Sequence, residues 1–239
     1  MKLNQLKILA AAFTTSFMVS CTQDIPVLLV IGGHSFDTTE FFDLFASLEG
    51  IDHKVAWHPE ALDLLGSDQL NDFDVVVFYD FMTELPKEKS EIFDNLAREG
   101  KSLFFLHHAL CGFQNWEGYG NIVGGSYVGP ASGADSSRFS GYRHDIVLDI
   151  KIMDQDHPVT RNMEDFQIHD EGYTNLWLKQ GLTPLLKTDH PDCDPLVGWT
   201  HEYENSTVLY ILLGHDKQAY GNPSFKQILE QGINWLAEE

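Results

Sequence analysis

The sequence predicts an α/β fold, a single domain built on a doubly wound, mostly parallel sheet. Short apolar runs at Val27–Ile31, Asp74–Tyr79 and Lys101–Leu106 read as strands covered on both faces. Segments of helical periodicity alternate with them in the rhythm of βαβ units. No internal repeat and no linker divides residues 26–239, so one domain is the simplest account.

Each element has its own signal. Pro26–Ile31 is a continuous apolar strand. Asp37-Thr38-Thr39-Glu40 then opens a helix as a box-like cap, with Phe41, Leu44, Phe45 and Leu48 on the buried face and Gly50 ending it. His53–Trp57 is a second strand and Pro59–Leu65 a short helix. After the Val-rich strand Asp74–Tyr79, Pro86 stands at a helix start, and Ile92, Phe93 and Leu96 carry that helix to Gly100. Residues 112–141 are rich in Gly, Ser and aromatics; they hold a short helix over Tyr119–Gly125 and then a surface loop. His144–Met153 alternates polar and apolar residues, as a strand with one wet face does. Leu182–Lys187 and Val197–Trp199 are weaker strands and Val208–Leu213 a strong one. Asn222 caps a last helix with Pro223 at its first position.

The formal net charge of the 239-residue chain is −21, which argues against nucleic acid as a partner. Residues 1–20 read as a signal peptide: Lys2 and Lys7 form a basic start, and Ile8–Phe17 is an apolar stretch too short for a confident membrane span. Met18-Val19-Ser20-Cys21 resembles a bacterial lipobox. The expectation is cleavage before Cys21, lipidation of that cysteine, a short anchor segment over 21–25, and a place in the bacterial cell envelope, periplasmic or surface-exposed. Ordinary secretory cleavage is the alternative. Cys111 and Cys193 can form one bridge at most, and sequence does not say whether they meet.

Parallel strands put their carboxyl ends on one edge, where such folds bind ligands. Histidines gather there: His34 after the first strand, His107 and His108 after the fourth, and His215 after the last. Asp80 follows the third. His169-Asp170-Glu171-Gly172-Tyr173 adds three ionisable groups and a phenol, with His169, Glu171 and Tyr173 on one face if the segment is extended. Of the adjacent pair, His108 is expected to be functional and His107 structural. Glu171, Asp170 and the histidines are candidate acids and bases, and His107, Asp80, His169, Tyr173 and Trp199 candidate substrate contacts. Trp199 suits a flat sugar floor or the core equally. Gly32-Gly33-His34 lacks the dinucleotide spacing, and no G-x-S-x-G or G-x-C-x-G elbow is present. No cofactor is indicated by a local motif; a divalent metal held by separate histidines and Glu171 stays open.

Val27–Ile31 with Gly32–Asp37, Leu106-His107-His108-Ala109, His144, His157–Thr160, Asp170–Tyr173, Trp199, Leu213–Asp216 and Gly232–Trp235 occur in an order that resembles the ThuA-like (trehalose utilisation) family over residues 26–237. The resemblance implies a flavodoxin-type, class I glutamine amidotransferase-like fold without the amidotransferase cysteine. It implies a role in disaccharide catabolism, 3-keto sugars included, with a small-molecule sugar as partner. It carries His34, His108, Asp170, Glu171, Tyr173 and His215 as site residues, with His144 and His157 as further candidates. One departure is Glu204-Asn205-Ser206-Thr207, where many members have Gly-Lys-Gly-Arg. The expected function is acid–base chemistry on a sugar by hydrolysis, elimination or isomerisation. The alternatives are a carbohydrate-binding lipoprotein without turnover and an interaction module.

Overall fold

A computed structural model describes residues 24–239. Its main sheet has nine strands, in the order β2-β1-β3-β4-β11-β10-β9-β6-β7. The first four strands are β1 (Ile25–Gly32), β2 (Ile51–Trp57), β3 (Val75–Asp80) and β4 (Ser102–Leu106). With β11 (Ser206–Ile211) they form a parallel half. Every residue of β3, β4 and β11 is buried, which is why these segments read as unbroken apolar runs. Helices α1 (Thr38–Ala46), α2 (Ala61–Leu65), α3 (Ser90–Arg98) and α6 (Pro223–Glu238) belong to this half, and α1, α3 and α6 each bury an aromatic and aliphatic stripe.

The other half departs from a purely parallel sheet. β10 (Leu196–Tyr203), β9 (Thr183–Lys187), β6 (Gly141–Ile152) and β7 (Phe166–Thr174) run antiparallel to their neighbours. Hairpin turns rather than helices connect β10 to β11, so the alternating βαβ signal has no counterpart there. The His169–Tyr173 segment is thus a strand, as its alternation allowed. A two-stranded ribbon of β5 (Gly125–Ser126) and β8 (Trp177–Leu178) lies beside α4 (Glu117–Val123).

Two caps behave differently. Asn222 accepts from Ser224 and Phe225 N–H at 2.9 and 3.3 Å, as the sequence suggested. Asp37 makes no cap bond; its carboxylate accepts instead from Lys217 N–H, 3.1 Å away, tying the start of α1 to α5 (Lys217–Tyr220). Cys111 and Cys193 are buried and unbridged. No described helix is long and apolar enough to cross a membrane. The signal segment and Cys21 lie outside the described residues.

Candidate functional site

Strand order reverses at β1, whose neighbours β2 and β3 lie on opposite sides, and a crevice opens beyond the carboxyl ends of such strands. His34 leaves β1, His107 and His108 leave β4, and His215 follows β11. The antiparallel half supplies Glu171 and Tyr173 from β7 and Tyr142 and His144 from β6. Together with Phe81, Cys111 and Tyr127 these side chains line a cleft of about 220 Å³.

Local backbone geometry aims the groups. Gly33 has φ +80, and a Cβ there would stand 2.3 Å from the carbonyl oxygen of Phe81, so only glycine brings His34 to the rim. His107 has φ +46, rare for a residue with a side chain and a form of strain that clusters at working sites. A bulge in β6 sets His144 and Asp145 opposite one residue of β7, turning His144 toward Glu171.

His107 is the hub. Its Nδ1 lies 2.6 Å from the Leu212 carbonyl, which fixes the proton on Nδ1 and leaves a lone pair on Nε2. That Nε2 stands 3.1 Å from Glu171 Oε2, 3.1 Å from His215 Nδ1 and 3.1 Å from the Tyr173 hydroxyl. His215 Nδ1 is 3.3 Å from Glu171 Oε2, and His144 Nδ1 is 3.1 Å from Glu171 Oε1. Asp170 sits beneath, buried, accepting from the backbone N–H of Glu171 (2.8 Å), Gly214 (2.8 Å) and His215 (3.0 Å). It thereby locks β7 to the turn that carries His215.

Electrostatics separates these groups. Burial opposes charge on Glu171, but the facing imidazoles of His107 and His215 outweigh it and hold the carboxyl well below the usual carboxylate range. Burial likewise opposes charge on His215, yet Glu171 raises its pKa. His34 and His108 move the other way. Desolvation and then their imidazole neighbours lower both, His108 strongly. Burial raises the Cys111 thiol despite a hydrogen bond with Tyr173, and so favours its protonated form.

His107 Nε2, Glu171 Oε2 and His215 Nδ1 lie within 4.8 Å of one another and fit a divalent cation. Two imidazoles and one carboxylate match the donor set of catalytic zinc. The backbone bond at His107 Nδ1 is the outer support such ligands use.

Several expected residues lie elsewhere. Trp199 is fully buried, stacked on Tyr210 with its indole N–H on the Val123 carbonyl at 2.9 Å; it is core, not a substrate floor. Asp80 is also fully buried and paired with His58 at 2.8 Å, so it contacts no substrate. His169 faces Asp145 and Asp216, and Asp216 caps α5. His157 packs on Trp235. The adjacent pair reverses expectation: His107 carries the polar network, whereas both ring nitrogens of His108 are sealed from solvent and have no hydrogen-bond partner among the described residues. His108 instead packs in tilted contact with Tyr79 and His34, at centroid distances of 4.3 and 5.0 Å. Phe81, Tyr127 and Tyr142 were not singled out from sequence; only alternation along β6 hinted that Tyr142 accompanies His144. The Glu204–Thr207 departure falls at the amino end of β11, roughly 20 Å from the cleft at the rise of a strand, so it alters no contact there.

No curated protein matches the chain in sequence. Among solved structures, it is similar to a ThuA-like protein from Parabacteroides merdae (16% identity, 90% of each chain covered, TM-score 0.74). A ThuA-like protein from Bacteroides uniformis is also similar (14% identity, 94% of this chain and 95% of that one, TM-score 0.68). A segment of the β-galactosidase from Rahnella sp. R3 shares the fold at 10% identity, with 89% of this chain and 32% of that chain covered and a TM-score of 0.57. At these identities the likenesses establish a flavodoxin/amidotransferase-like fold. The family model for trehalose utilisation matches residues 28–236, and the chain belongs to this ThuA family of carbohydrate metabolism.

Proposed function

We propose that this protein is a metal-assisted enzyme of carbohydrate catabolism that removes a proton beside the keto group of an oxidised sugar, a 3-keto-disaccharide or related glycoside. The observation that carries the reading is the convergence of His107 Nε2, Glu171 Oε2 and His215 Nδ1 at one point of a cleft whose rim holds His34. A keto group acidifies its neighbouring C–H bonds. His107, Glu171 and His215 would hold a divalent cation here, and such an ion would stabilise negative charge developing on a neighbouring oxygen. His34, kept neutral by desolvation and its imidazole neighbours, accepts the proton. His144, exposed beside Glu171, is placed to return a proton to the product or to a departing glycosyl oxygen. The Leu212 carbonyl and Asp170 keep His107 and His215 in position.

The test is product analysis by NMR, with the purified protein incubated with trehalose and with 3-keto-trehalose. Conversion of the keto sugar alone, lost with a chelator and in Glu171→Gln, is expected. Full turnover by Glu171→Gln would sink the mechanism; tight binding without product would make the protein a carbohydrate-binding one. The lipobox-like Met18–Cys21 further supports a lipid-anchored protein of the bacterial envelope.

A further inference from the structure

Beside the histidine cleft lies a second concavity of about 500 Å³. The two are neighbours through the backbone: Cys111 lines the cleft and Gly112 the groove, while Tyr127 lines the cleft between Ser126 and Val128 of the groove. The groove contains none of the histidines, and the mechanism above uses none of its residues. Its walls carry Trp116, Trp177, Gln114, Glu117, Ser126 and Arg138.

We infer that this groove is a glycosyl subsite, holding the second, unoxidised sugar ring of a disaccharide whose reacting ring occupies the histidine cleft. This rests on the sugar reading of that cleft. The chemistry of the walls points to a pyranose. One face of such a ring is apolar C–H surface, which lies against an indole; its edge is hydroxyls, which need planar amides, carboxylates and guanidinium groups. The groove presents both kinds of surface.

The indoles are held rather than free. A Cβ on Gly118 would stand 2.3 Å from the Trp116 ring, so the helix backbone lies directly against that indole. Trp116 also packs on Phe93, with ring centroids 6.1 Å apart and the rings tilted. Trp177 belongs to the two-stranded ribbon, paired with Ser126, and its ring lies 3.5 Å from where a Gly120 Cβ would be. The polar groups keep capacity for a ligand. Gln114 donates its amide N–H to the Cys111 carbonyl at 3.1 Å, which orients the side chain, and its Oε1 accepts no bond among the described residues. Glu117 and Arg138 form no ion pair among the described residues. Rigid aromatic area and oriented polar groups lose little entropy on binding.

The consequence is a division of labour: the histidine cleft sets the chemistry and Trp116 and Trp177 set the preference for a disaccharide over a simple glycoside. The test is calorimetric titration with trehalose and with methyl α-glucopyranoside, which lack the keto group and bind without turnover. Wild-type protein should prefer trehalose by about ten-fold or more, an aromatic anchor's ordinary effect. Trp116→Ala should bring the two sugars to parity by weakening trehalose alone. Because Trp116 also packs on Phe93, Trp116→Phe and the surface change Arg138→Ala provide variants that keep the fold, and Arg138→Ala should lower trehalose affinity several-fold. Equal affinities in the wild type, or an undiminished preference in all three variants, overturns the subsite. Binding of neither sugar while 3-keto-trehalose is still turned over also overturns it and leaves the cleft reading standing. Loss of both titration and turnover removes the cleft reading with it.

Discussion

His107 Nε2 and Glu171 Oε2 face each other at 3.1 Å across the sheet, from a parallel strand's exit and an antiparallel strand's middle. Because the Leu212 carbonyl holds the His107 proton on Nδ1, the atom presented to Glu171 is a lone pair. A lone pair beside a carboxylate is favourable when a proton or a cation lies between them, and His215 Nδ1 completes three donors around that point.

One divalent ion per chain is therefore expected, with zinc the best match to two nitrogens and one oxygen. His107→Ala, Glu171→Gln and His215→Ala should each lower its affinity by about a hundred-fold or more, whereas His144→Ala should change it little. Competition titration with a chelating dye measures this. Stoichiometric, undiminished binding by His107→Ala would place the ion elsewhere.

Asp170→Ala should destabilise the fold by about 3 kcal/mol, because it leaves the N–H groups of Glu171, Gly214 and His215 without their acceptor. Urea unfolding reads the change. A loss under about 0.5 kcal/mol would mean that water replaces the carboxylate and that the lock between β7 and the His215 turn is weak.

His108 gives a pH signature. Burial, then its imidazole neighbours, lower its pKa well below 6.5, so the folded state holds it neutral while the unfolded chain takes up a proton near that pH. Its contribution is full above about 6.5 and is lost as pH falls from there through the lower folded pKa. His108→Phe should flatten the fall of stability over that acid range, measured as urea midpoint against pH. A parallel fall in both proteins would assign the acid sensitivity to other groups.

Trp199 separates core from site. Trp199→Ala should cost about 4 kcal/mol by emptying a fully buried indole. Sugar affinity of the remaining folded protein should not change. A specific loss of affinity at unchanged stability would return Trp199 to the binding surface.

The parallel half was legible because both faces of its inner strands β1, β3, β4 and β11 are buried, leaving apolar runs punctuated by helix signals. The antiparallel half was less so. In β7 the four consecutive residues Asp170, Glu171, Gly172 and Tyr173 are all buried, which removes the alternation of a half-exposed strand. Placement of histidines after strands pointed to the cleft residues His34, His107 and His215, since strand ends share one edge. It could not rank His107 against His108, because adjacent side chains diverge and only the left-handed turn at His107 decides which meets Glu171. Asp80 shared the edge by sequence position, yet its pairing with His58 turns it into the interior. Trp199 showed only its aromatic character; burial depends on β10 lying in mid-sheet, a long-range fact.

The lipid anchor has its own check. Cys21→Ser should abolish incorporation of labelled fatty acid and release the protein from the membrane fraction. Unchanged labelling in that variant would exclude Cys21 as the attachment point.

The most direct measurement of the central claim is proton exchange. In D₂O, the wild-type protein with 3-keto-trehalose should incorporate deuterium at the carbon beside the keto group, read by NMR before or alongside any bond cleavage. His34→Ala and Glu171→Gln should lower that rate by at least about a hundred-fold. Deuterium uptake at the uncatalysed rate with wild-type protein, or unchanged uptake in both variants, would contradict proton removal at this cluster.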